Sequence, residues 1–410
     1  MTASERKKAL AAGISIAWPP EPLLGSHFEE EEIQAVVKTM RDSMDPRVGF
    51  GFICEEITKF EEVFAAWVGA KYCVSVNGAG GALDMAMMCL DLEPGDEVIV
   101  PSVNFRASPL AVLGQRARPV FAEIDPLTLN LDPADVERRV TSRTRAILPT
   151  HMNGLSADMD ALEEIGRRHP NSRGPIPVIG DAARSLGASY KGTRIGRKGW
   201  MTIFSFHTQK MITTLGEGGA LVPDDRDLVT RLQGIPQFGN PAHSYDPKLR
   251  GVGWGSNYKL TKIQAAMGLV QMKRLDDLVA RRQRLARARS AMLEGCPGLQ
   301  LPAEPKGYES SFYLYTMLTP KEWGAKGRDR FMEIMKGEYK VECIVANPPV
   351  HNTVPYITER VGKVSLPVSE QTGDRIVCPP IHPYMPDSDN AYIAAAIWEA
   401  MDRVRAETGR

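Results

Sequence analysis

Tyr72-Cys73-Val74-Ser75-Val76-Asn77-Gly78-Ala79-Gly80-Gly81-Ala82 opens as an apolar, β-branched run, turns through glycines and enters a helical pattern over 81–90. The same alternation recurs from about residue 70 to 225. Strand-like runs lie at 72–76, 97–100, 119–123, 146–149, 177–179, 202–206 and 219–222, and helical spacing at 81–90, 134–140 and 159–168. Strands alternating with helices predict an α/β fold: a mostly parallel sheet covered by helices, with sites at the strand carboxyl ends. Residues 258–294 then carry high helix propensity without proline, apolar at first and rich in arginine later, and read as a linking helix. After Gly295-Cys296-Pro297-Gly298 the texture changes: a strand-like run at 312–318, a helix near 329–335, proline-rich loops at Pro348-Pro349 and Pro379-Pro380, and a final helix over 391–405. The expected organisation is an N-terminal segment (1–40), a large domain including the long helix (41–294) and a smaller α/β domain (295–410).

The 410 residues are 43% hydrophobic, enough for a large core, and basic and acidic side chains balance at 50 each. No net field draws the protein to nucleic acid or a membrane surface, so the expected partner is a small molecule. The six cysteines lie far apart, without the paired spacing of a zinc site or the density of a disulfide scaffold. They read as reduced thiols and place the chain in the cytoplasm. The apolar stretch near the N-terminus is too short for a spanning helix.

Three segments carry residues suited to chemistry. In Phe204-Ser205-Phe206-His207-Thr208-Gln209-Lys210 a strand runs into a lone lysine, and Gly216-Glu217-Gly218-Gly219 follows. A lysine in a partly desolvated pocket loses preference for its ammonium form and becomes able to attack a carbonyl; the competing reading is a surface lysine. Asp181, in Pro177-Val178-Ile179-Gly180-Asp181-Ala182-Ala183, sets a carboxylate at the end of an apolar strand, where it needs a cation or else caps a helix. Gly78-Ala79-Gly80 stands between strand and helix, where free N–H groups can hold a phosphate. The dinucleotide pattern G-x-G-x-x-G fails at Leu83 and no Walker sequence occurs, so a phosphate cup or a plain turn remains.

In order and spacing these segments resemble the DegT/StrS-type sugar aminotransferase family, whose members are fold type I enzymes dependent on pyridoxal 5'-phosphate (PLP). The likeness covers roughly residues 55–275. It includes Gly95-Asp96-Glu97-Val98-Ile99-Val100-Pro101-Ser102, His151-Met152-Asn153-Gly154, Ser205-Phe206-His207, Gly216-Glu217-Gly218-Gly219 and Gln264-Ala265-Ala266. The resemblance implies that Lys210 carries PLP as a Schiff base and that Asp181 pairs the pyridinium nitrogen. It further implies that Ser205 with Gly78, Ala79 and Gly80 binds the phosphate and that Phe105 stacks on the ring. Asn257 would reach the phosphate of a neighbouring subunit, making a homodimer with shared sites. The implied reaction passes an amino group from glutamate or glutamine, through pyridoxamine 5'-phosphate, to a keto-sugar or keto-cyclitol. Its product is an amino sugar or aminocyclitol, of aminoglycoside or other antibiotic assembly or of the cell surface.

The chain departs from the family pattern in places. Gly78-Ala79-Gly80 stands where Ser-Gly-Thr is usual, Arg184 and Leu186 replace the usual Gln and His, Lys259 replaces an Arg, and Arg106 follows Phe105. Arg184 is expected among the cofactor-binding residues, and Arg184 or Arg106 is expected to face an anionic group, a sugar phosphate or the donor carboxylate, with a surface ion pair as the alternative. His351 and His382 are expected to line the substrate entrance, and the histidine spacings form no metal site. Two rivals stay open: a sugar dehydratase on the same scaffold, in whose known branch a histidine replaces the lysine, and a non-catalytic ligand-binding relative.

Overall fold

The computed structural model describes residues 1–21, 27–51, 53–240 and 253–409. Its centre is a sheet built from β1 (Val74–Val76), β2 (Glu97–Pro101), β3 (Arg118–Ala122), β4 (Thr144–Ile147), β5 (Ile179–Asp181), β6 (Met201–Ser205) and β7 (Gly219–Pro223). A four-stranded part, β1-β7-β6-β5, and a three-stranded part, β4-β2-β3, are joined by parallel bridges Ile147–Val178 and Thr150–Asp181. All pairs are parallel except those of β7, which runs antiparallel to both β1 and β6. β7 is the exception because it follows β6 directly through the turn that holds Lys210, with no crossover helix to reverse the chain.

β2, β6 and β7 are buried along their whole length. Such continuous burial is what a sheet covered on both faces requires. On one side, helix Ala79–Cys89 packs Leu83, Met85 and Met87 with Val98, Val100 and Ile203. On the other, Phe60 and Phe64 of helix Glu55–Val68 meet Phe204 and Phe206 in edge-to-face contacts at 5.1–5.3 Å. Buried aromatic pairs in this geometry add about 0.5–1.5 kcal/mol each beyond the area they bury.

The long helix, Lys262–Leu293, starts at a capping box in which Thr261 and Gln264 satisfy each other's backbone N–H groups. Its first half (Ala265, Met272, Leu275, Val279) packs beneath the sheet, and its second half (Leu285, Ala286, Leu293) belongs to a separate apolar core around helix Asp387–Thr408. Helix Ala3–Ala12 lies on that terminal helix, where Arg6 reaches Asp402 at 2.9 Å and stacks over Trp398. The run expected as a strand at 312–318 is shorter: only Met317–Leu318 pairs, with Ile376–Val377. Phe312 has φ 47°, and Ser311 and Leu314 donate instead to the carbonyls of Gly154 and Asn153, which draws the segment to the sheet's carboxyl edge. All six thiols are free. Among the described residues no helix is long and apolar enough to cross a membrane.

Candidate active site

β1, β5 and β6 end at the same edge of the sheet, and the sequence-selected residues collect there. Lys210 lies in the loop after β6, whose base is closed by backbone bonds from Phe206 to Gly218 and from Thr208 to Gly216. It is not a surface lysine. Burial, reinforced by the charge of Arg184, lowers its amine to about 7 from an ordinary 10.5, against the opposing pull of Glu21, Asp181 and Glu217. The amine donates to the phenol of Tyr313 at 3.4 Å and lies 4.7 Å from that ring's centroid.

Asp181 is the last residue of β5, one position inside the sheet rather than just beyond a strand. No helix follows it, which removes the helix-cap reading. Its carboxylate accepts from Ser108 Oγ at 2.9 Å and from the Ala183 N–H at 3.1 Å. Among the described residues no cation pairs with it, and burial raises its carboxyl above the ordinary 3.8. A buried carboxylate held by two neutral donors is a site prepared for a cation.

At the end of β1, Gly78 caps helix Ala79–Cys89 without any side-chain hydrogen bond and with no acidic residue in the first turn. The helix's leading N–H groups are the donors that a phosphate takes. The start of β7 approaches closely: a Cβ on Gly219 would stand 2.7 Å from the carbonyl carbon of Gly78 and 2.8 Å from the Ala79 nitrogen. Space at Gly80 is open. Ser205, at the end of β6 and paired with Gly219, is buried, and its hydroxyl accepts from the His207 N–H at 3.3 Å. Cup, carboxylate and depressed amine match the phosphate, the basic ring nitrogen and the aldehyde of PLP.

Phe105 is 53% exposed, and the guanidinium of Arg184 lies 5.8 Å from its centroid. Arg184 also lies over Tyr313, at 5.5 Å, and its Nη1 is buried without a hydrogen-bond partner. Arg106 is exposed and precedes helix Ala107–Gly114. Asn257 is exposed next to the cup, its carbonyl accepting from the Asn77 side chain at 3.4 Å.

The two histidines expected at the substrate entrance are both buried. His351 is buried between Ser102 Oγ (2.6 Å) and Glu370 (3.1 Å), and its ring lies 6.0 Å from that of Phe121. His382 is buried in a stack with Trp18 and His27, and burial lowers it to about 4. In each case neighbouring elements, not solvent, supply the ring's contacts. The sequence did not single out Tyr313 or Glu21; the Tyr313 hydroxyl donates to Glu21 Oε1 at 3.2 Å. An aromatic cluster after Ser310-Ser311 was the only local signal.

The model of the DegT/DnrJ/EryC1/StrS aminotransferase family matches residues 27–398. The chain is 34% identical over 385 residues to the dTDP-3-amino-3,4,6-trideoxy-alpha-D-glucose transaminase of Streptomyces venezuelae, covering 93% of this chain and 96% of that one. It is 33% identical over 380 residues to the spore coat polysaccharide biosynthesis protein SpsC of Bacillus subtilis, with 90% and 92% covered. Among solved structures, DesV of S. venezuelae, in complex with a ketimine intermediate, superposes with a TM-score of 0.82 at 32% identity, covering 93% of this chain and 99% of that one. With these likenesses added to a site that fits PLP, the chain belongs to the DegT/DnrJ/EryC1/StrS family and is a PLP-dependent aminotransferase.

Proposed function

We propose that the protein transfers the amino group of L-glutamate or L-glutamine to a keto-sugar or keto-cyclitol, making an amino sugar or aminocyclitol. The observation that carries this reading is that the buried Lys210 amine, the buried Asp181 carboxylate, which no cation pairs among the described residues, and the open first turn of helix Ala79–Cys89 meet at one edge of the sheet. The transaminase of Streptomyces venezuelae, a dTDP-sugar enzyme by name, supports the acceptor class. When bound, PLP supplies an electron sink that stabilises negative charge at the carbon bearing the amine.

In this reading Lys210 holds the cofactor, and its freed amine, lowered to about 7 by burial and so partly neutral near pH 7, takes and returns the proton at the substrate carbon. Asp181 keeps the ring nitrogen protonated, which its burial makes favourable once the opposite charge is present. Gly78, Ala79 and Gly80 bind the phosphate through backbone N–H groups, with Ser205 as a hydroxyl donor, and Phe105 covers the ring. Asn257, whose carbonyl meets Asn77 of its own chain, reaches with its exposed side chain to the cup of a second subunit. The homodimer is supported by helix Glu30–Asp42, which leaves Ile33, Val37 and Met40 exposed along one face, with Met44, Val48 and Phe50 beyond it. Six free thiols support a cytoplasmic site of action.

The test is a coupled assay: purified protein, PLP, L-glutamate or L-glutamine, and a panel of nucleotide-linked keto-sugars and keto-cyclitols, with products read by mass. Appearance of an amino product is expected. Loss of water from the sugar without nitrogen incorporation would replace the proposal with the dehydratase reading.

A further inference from the structure

Resting on the reading above, we propose that Arg184 receives the α-carboxylate of the amino-acid donor and thereby determines which amines the site accepts. Arg184 lies three residues beyond Asp181, and its guanidinium is held over two rings, 5.5 Å from the centroid of Tyr313 and 5.8 Å from that of Phe105. The rings restrain the planar group and leave its edge donors to find partners. Nη1 has none, although it is buried. Asp181 and Glu21 are the nearby carboxylates. Asp181 is engaged by Ser108 and Ala183, Glu21 accepts from Tyr313, and neither forms an ion pair with Arg184.

The amine of Lys210 lies over the same Tyr313 ring at 4.7 Å, so Arg184 is held beside it. No carboxylate pairs with Arg184 among the described residues, and a bound anion supplies the partner that its buried Nη1 lacks. The position of Arg184 selects the kind of anion. In an α-amino acid the carboxylate is one bond from the carbon that bears the reacting nitrogen, so it must sit beside the lysine it displaces. The phosphates of a nucleotide-linked sugar lie several bonds from the reacting carbon and call for a cation farther out. A guanidinium fork matches a carboxylate through two parallel hydrogen bonds, and its prior restraint reduces the entropy lost on pairing.

The experiment loads wild type, Arg184→Gln and Arg184→Lys with PLP, confirms each by its visible cofactor band and thermal melt, and titrates the loss of that band. Two amines serve as probes: L-glutamate, and 4-aminobutanoate, which keeps the amine and distal carboxylate of glutamate but lacks the α-carboxylate. Arg184→Gln should raise the half-saturating glutamate concentration by about 10- to 100-fold. The response to 4-aminobutanoate should stay within about threefold of wild type. Arg184→Lys, which keeps the charge and loses the fork, should fall between, and it carries the comparison if Arg184→Gln takes up no cofactor. An unchanged glutamate midpoint in a variant with an intact band overturns the proposal, as does an equal loss for both amines. A wild type whose band no amino acid bleaches overturns the aminotransfer reading itself, and this assignment with it.

Discussion

The amine of Lys210 donates to the phenol of Tyr313 at 3.4 Å, and the same hydroxyl donates onward to Glu21 at 3.2 Å. In the proposed role Lys210 carries a proton, and the Tyr313 phenol is the group placed to hold its amine between transfers. Tyr313→Phe keeps the ring under Arg184 and removes only the hydroxyl. The expected result is normal cofactor uptake, a kcat lower by about tenfold, equivalent to roughly 1.4 kcal/mol, and a donor KM within threefold of wild type. Steady-state kinetics would show this; a change confined to donor KM would assign the phenol to binding instead.

The depressed lysine has a consequence for stability. Its folded value is about 7 and its ordinary value 10.5, so between these pH values the unfolded chain holds the extra proton. Wild-type stability without cofactor should therefore rise with pH across that window, as the folded-state penalty on the ammonium disappears. Lys210→Met removes the penalty. Its melting temperature should exceed that of cofactor-free wild type most clearly below pH 7, with the advantage shrinking toward pH 10 in a calorimetric pH series.

Asp181 should separate stability from activity. Burial raises its carboxyl, so wild-type stability falls as pH rises from 3.8 through the folded value. Asp181→Asn keeps the shape and loses the charge, and at pH 7 the cofactor-free variant should melt higher than wild type. Its kcat should fall by about 10²- to 10³-fold, because the ring nitrogen loses the charge that keeps it protonated. A variant that is destabilised and fully active would show that Asp181 is a structural residue.

Gly219→Ala tests the phosphate cup without touching a polar side chain. The added methyl would press on backbone atoms of Gly78 and Ala79, which cannot move without shifting the first turn of helix Ala79–Cys89. A loss of about 1–3 kcal/mol in stability is expected from overpacking. A tenfold or greater rise in the Kd for PLP, measured by fluorescence titration, should accompany it.

Lys210, Asp181 and Gly78–Gly80 could be picked out in the sequence because each follows an apolar strand at its turn, while a surface lysine, a helix cap and a plain turn stayed open until the family resemblance tied them together. Proximity of the strand ends follows from the parallel sheet, so three separate motifs imply one site. Tyr313 and Glu21 carry no such mark, since they reach Lys210 and Tyr313 across 103 and 292 residues of chain. The extended reading of 312–318 failed because the Asn153-Gly154 turn, not a neighbouring strand, takes the hydrogen bonds of Ser311 and Leu314. His351 and His382, expected at the substrate entrance, are buried. Their partners Glu370, Trp18 and His27 come from other elements and become visible only in the folded chain.

The most direct test of the central claim is the absorption spectrum of the protein mixed with PLP, recorded before and after L-glutamate or L-glutamine, for wild type and Lys210→Ala. A visible band in wild type that donor converts to the near-ultraviolet absorption of the amine form, and that Lys210→Ala fails to develop with PLP alone, is the predicted result. A wild type without the band, or a Lys210→Ala protein that forms and bleaches it like wild type, would contradict the assignment of Lys210 as the residue that carries the cofactor.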